Sequence, residues 1–157
     1  MSVRPFIIAL ALIFTSVASA AEFTIVHVYT GWRAAASFKR ISEYLDGKEN
    51  TGGEAILRTH PDQRGGFYFL VRAANPGAAR SVNVNLEIIT TANAKPVSYS
   101  FRPELKAGDT VFHLGLTGAD WPGPKINPVA WKLELLDPNG RVLATEKSYL
   151  WEKPTSK

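Results

Sequence analysis

The sequence predicts a mostly β protein: an antiparallel β-sandwich with one short helix near its N-terminus. Three observations predict it. Short runs of period-two alternation recur from Glu54 to Leu150. Clusters of Gly, Pro and Asn separate them at regular intervals. Only residues 34–45 carry apolar residues at helical spacing.

The first twenty residues read as a secretory signal. Arg4 supplies the positive start, Phe6 to Phe14 is an unbroken apolar run, and Ala18-Ser19-Ala20 has the small-x-small pattern of a cleavage site. Cleavage is expected after Ala20. The run is too short for a membrane span, which needs about 20 residues. No cysteine follows it, which closes the acylation route of bacterial lipoproteins, and no later stretch is apolar enough to span. The mature product is therefore expected to be exported, to the periplasm or outside the cell, without a membrane span.

What remains, residues 21–157, is the length of one domain and long enough for a real core. Residues 21–53 read as a strand, a helix and a loop packed on the sandwich; 54–151 as the sandwich; and 152–157 as a polar tail. Residues 23–30 make the first strand, with Phe23, Ile25, His27 and Tyr29 on one face and Thr24, Val26 and Val28 on the other. Both faces are fairly apolar, which predicts cover on both sides. The helix over 34–45 has three alanines in its favour. Phe38, Ile41, Tyr44 and Leu45 form its stripe, expected to cover a sheet face or an open end, while Lys39, Arg40 and Glu43 point outward. Gly47 stops it.

From Glu54 the period is two. Residues 54–59 form a short strand, and 60–66 a loop with Pro61 and Gly65-Gly66. Residues 67–73 are apolar on both faces, which marks a central strand. Asn75-Pro76-Gly77 is a turn. Residues 82–90 give the cleanest alternation: Val82, Val84, Leu86 and Ile88 one way, Asn83, Asn85 and Glu87 the other. Strands follow at 97–102 and 110–116, with 103–109 as their connector. The longest irregular connection runs from Thr117 to Pro128. Residues 129–136 and 141–150 then make a hairpin across Asp137-Pro138-Asn139-Gly140, a turn with Pro at its first central position and Gly for a left-handed closing residue. The predicted core includes Val84, Leu86, Ile88, Phe101, Phe112, Leu114 and Leu133. In strand number and length, residues 54–151 resemble an immunoglobulin-like or fibronectin-like sandwich. The resemblance is architectural; the usual Cys pair is absent and no function carries over.

Composition narrows the chemistry. The formal net charge is +4, and removing the signal lowers it by the one charge of Arg4. Basic residues are scattered, with Lys39-Arg40 the only adjacent pair, so there is no stripe for nucleic acid. With no cysteine, thiolate metal sites and thiol nucleophiles are excluded and the fold rests on packing alone. His27, His60 and His113 lie far apart. The first and last sit in strands and read as packed or hydrogen-bonded strand residues; His60, near Asp62 and Arg64, reads as part of a polar turn. No HExxH, G-x-S-x-G or EF-hand pattern occurs. No catalytic residue, metal or cofactor is expected.

The aromatics leave one candidate site. Trp121 lies in the Pro/Gly-rich loop between Asp120 and Lys125, and Trp32 beside Arg33 before the helix. A loop tryptophan offers rigid apolar area to a sugar or a protein; its commoner fate is to fold back and plug the sandwich. The candidate binding residues are Asp120, Trp121, Lys125 and Trp32. The preferred reading is a non-catalytic binding or structural domain with a protein partner in the cell envelope. A carbohydrate-binding module using the loop tryptophans is second, and a small secreted hydrolase with dispersed acids third.

Overall fold

Alternating side chains build two four-stranded sheets in the computed structural model, which describes residues 23–91 and 94–152. The expected signal segment and residues 153–157 of the polar tail lie outside the described residues. The first sheet holds β1 (Thr24–Arg33), β2 (Ala55–Arg58), β3 (Gly66–Asn75) and β8 (Gly108–Thr117), in the order β1-β3-β8-β2. The second holds β5 (Asn83–Ile89), β6 (Val97–Phe101), β9 (Ala130–Leu136) and β10 (Val142–Lys147), in the order β10-β9-β5-β6. A two-residue ribbon, β4 (Arg80–Ser81) with β7 (Glu104–Leu105), lies in segments expected to be connectors. The architecture is the mostly β, two-sheet sandwich that the sequence predicts. The pairing is antiparallel throughout, except that β2 runs parallel to β8.

The inner faces meet in one core. Phe67, Phe69 and Val71 of β3 and Phe112, Leu114 and Leu116 of β8 pack with Val84, Leu86 and Ile88 of β5 and Leu133 and Leu135 of β9. All seven core residues predicted from the alternation are buried. β3 is interior to its sheet, as its two apolar faces predict: Tyr68 is as buried on the outer face as Phe67 and Phe69 are on the inner one. The hairpin turn forms as the sequence predicts. Gly140 takes φ 84°, and the Asp137 carboxylate accepts the backbone N–H groups of Asn139 and Arg141, both at 2.9 Å.

Two expectations fail. The first strand is an end strand and extends to Arg33; it is not covered on both sides, since Val26 is 54% and Tyr29 59% exposed. The helix expected over 34–45 does not form as one piece. A 3-10 turn, Ala35–Phe38, ends where Lys39 becomes extended (φ −78°, ψ 121°), and a single α-turn, α1 (Glu43–Asp46), follows, capped by left-handed Gly47 at φ 68°. The contacts it makes decide this. Phe38 packs its ring on Tyr68 and against the Arg58 guanidinium, and the Glu43 carboxylate turns inward to Arg64 and to the N–H groups of Arg40 and Asn50. Phe38 and Glu43 are buried, whereas Ile41, Tyr44 and Leu45 face solvent.

Candidate functional site

Tyr68 lies across Gly115 on the outer face of the first sheet, where any Cβ on that glycine would strike its ring. Its hydroxyl accepts from Arg58 Nε (2.8 Å) and donates to the Arg64 carbonyl (2.6 Å). Both terminal guanidinium nitrogens of Arg58 donate to Glu49, at 3.0 and 2.7 Å. Arg64 donates to Glu43 at 2.5 Å, and the other Glu43 carboxylate oxygen accepts the N–H groups of Arg40 and Asn50, each at 3.2 Å. These bonds tie the irregular segment between β1 and β2 to the sheet. The hydrogen bond from Arg64 holds the Glu43 carboxyl below its ordinary range, and that from Arg58 does the same for Glu49. Burial pushes the Tyr68 hydroxyl up. Nothing local in the sequence signals this network, because its members come from five segments that meet only on folding.

His113 lies on the same face. Its ring is buried, Nε2 is 3.4 Å from Glu54, and Nδ1 has no hydrogen-bond partner. Burial lowers its pKa, opposed by the Glu54 charge. This agrees with the reading of a packed strand histidine. His60 pairs with a residue distant in sequence: its Nε2 is 3.0 Å from Asp120, with both groups partly exposed. Among the described residues no group of three or more His, Asp or Glu could hold a metal ion.

The residues singled out in the sequence meet at one end of the sandwich. Trp121 is 5% exposed. Its ring stacks on Phe67 at 4.5 Å between centroids, and Nε1 donates to the Gly123 carbonyl at 3.1 Å. Of the two fates open to a loop tryptophan, the structure shows the packed one. Trp32, in β1 and not in a junction, lies opposite Phe67 in the ladder and packs on the same core. Asp120 is held by His60, and Lys125 is exposed. Trp121 stacks on Phe67 and Trp32 is the ladder neighbour of Phe67, and of the three loop residues only Lys125 stands free in solvent.

Exposed apolar groups occur at several places, among them β1 and the turn around α1. Val26 and Tyr29 are on β1, which has a ladder partner on one side only. Ile41, Tyr44 and Leu45 are 84%, 71% and 87% exposed on the turn around α1. Among the described residues no helix is long and apolar enough to cross a membrane.

Fold and surface together define a β-sandwich with an open strand edge and an apolar tip. No protein-family model matches the chain, and no curated protein matches it in sequence. Among solved structures it is similar to an immunoglobulin-like protein from Pseudomonas aeruginosa, at 16% identity over 82% of this chain and 96% of that chain, with a TM-score of 0.30.

Proposed function

We propose that the protein is an exported, non-catalytic binding domain, and that it captures a protein partner of the cell envelope along the free edge of β1. One observation carries this reading. β1 is ten residues long, ends its sheet, and exposes Val26 and Tyr29. β10, an end strand of the other sheet, comes near it but shares no ladder with it. Sheets that avoid strand addition blunt their edges with Lys, Pro or short length. β1 has neither Lys nor Pro, and its one irregularity falls near its start, between Ile25 and His27. The stretch from His27 to Arg33 is regular, enough to pair with an extended peptide through its backbone. A protein partner is favoured over a glycan because Trp121, the strongest sugar-stacking candidate, is spent on the core. The clustered ionisable groups are spent as well: Arg58, Arg64, Glu43 and Glu49 satisfy one another.

The test places a photo-crosslinking residue at position 29 in the protein expressed in its native host. A discrete crosslinked product is expected, and it should disappear when Val26 and Thr30 are both replaced by Lys without loss of folding. A crosslink that persists in the Lys variant, or none at all, would overturn the proposal.

A further inference from the structure

The tip around α1 is independent of the β1 edge, and its exposure is extreme. Ile41, Tyr44 and Leu45 stand almost clear of the surface within five residues. Side chains this exposed do not form a flat patch or line a groove; they project. A projecting apolar group needs a partner that it can enter, and a bilayer interface accepts one without a preformed pocket.

The charges around the tip point the same way. Lys39, Arg40 and Lys48 are exposed and form no ion pair among the described residues. The Lys39 ammonium lies over the Tyr44 ring at 4.1 Å, and Arg40 donates to the Thr51 carbonyl at 3.2 Å. Two of the acids nearby are paired with cations, and one, Asp46, is exposed with only a backbone N–H as its partner. Glu43 and Glu49 are bound by Arg64 and Arg58, and the Asp46 carboxylate accepts the Lys48 N–H at 3.0 Å. A pocket of about 400 Å³ opens beside the tip, with Lys39 and Arg64 in its walls against the one already bonded carboxylate of Glu43. Apolar residues on a projection that carries three unpaired cations against the single unpaired carboxylate of Asp46 match an anionic lipid surface in polarity and in net charge. The base is held firmly enough to present them: Phe38 packs on Tyr68 at 4.7 Å between ring centroids, and the buried Glu43 carboxylate fixes the turn.

We infer that residues 39–48 form a membrane-contact tip that inserts Ile41, Tyr44 and Leu45 into the interface of an anionic bilayer, with Lys39, Arg40 and Lys48 on the headgroups. The protein then rests on the membrane surface with its β1 edge free for a partner.

The experiment uses the mature protein and measures co-sedimentation with vesicles of phosphatidylcholine with and without phosphatidylglycerol. Binding is expected to the anionic vesicles, to weaken with added salt, and to fall by roughly tenfold or more in the Ile41→Ser, Leu45→Ser double variant. Replacing Lys39 and Lys48 by Glu should abolish the preference for anionic vesicles. These substitutions touch only exposed side chains, and an unchanged melting curve checks that the fold is intact. No binding to either vesicle, or binding that the double Ser variant retains, would overturn the inference. So would a crosslinker at position 45 that labels a protein and not lipid in the native envelope. The β1 Lys variant should bind vesicles like the wild type, so failure at the edge and failure at the tip are separable.

Discussion

Trp121 illustrates how one side chain changes its role once its neighbours are known. In the chain it is an aromatic flanked by charges in a long loop; in the fold it closes one end of the core on Phe67. Replacing it with Ala should therefore cost stability, about 3–5 kcal/mol by chemical denaturation, because a large cavity opens beside Phe67. A loss below about 1 kcal/mol would mean that the indole is not packed as described. His113 is the other residue whose placement matters. It carries a buried ring with Nδ1 unbonded, and burial lowers its pKa against the pull of Glu54.

At the scale of elements, the segment between β1 and β2 is held by acids that reach inward and not by its own helical bonds. Glu43 alone accepts two backbone N–H groups and the Arg64 guanidinium. Glu43→Ala should release the turn while leaving the sandwich intact. Limited trypsin digestion checks this: cleavage after Arg40 or Lys48 should become several-fold faster, with cleavage at Lys132, inside β9, unchanged. Equal digestion of variant and wild type would show that the turn holds itself. The same anchoring bears on the tip, since a loosened base presents Ile41 and Leu45 less rigidly.

For the whole molecule, stability should depend on pH in two windows. The folded pKa of His113 lies below its ordinary value of 6.5, chiefly through burial and against the attraction of Glu54, with Arg33 and Arg58 adding to the depression. Below that value the unfolded chain takes up the proton first, so stability falls as pH drops from about 6.5. Glu43 and Glu49 are also depressed, from 4.5, and their contribution is lost further down, as pH falls below that value. Denaturation measured across pH should show both slopes. His113→Gln should flatten the upper one and leave the lower one in place; an unchanged upper slope would exclude His113 as its source.

Local chemistry determined most of the sandwich. Period-two alternation made Val84, Leu86, Ile88, Phe112 and Leu114 legible as core, and Asp137 to Gly140 as a hairpin, because strand faces and turn conformations follow from neighbours one to four residues apart. The composition also settled that no disulfide or thiolate site holds the fold. What the sequence could not decide were contacts between distant segments. Residues 34–45 carry a helical stripe, yet packing on Tyr68 draws in Phe38, Arg64 draws in Glu43, and Ile41, Tyr44 and Leu45 are left outside. Whether Trp121 is anchor or plug depends on Phe67, 54 positions away in the chain, and the pairing of Arg58 and Arg64 with Glu49 and Glu43 depends on where β2 and β3 lie. Propensity and pattern act along the chain, whereas burial and charge compensation act across space, so only the tertiary structure could say which apolar groups were left to meet a partner.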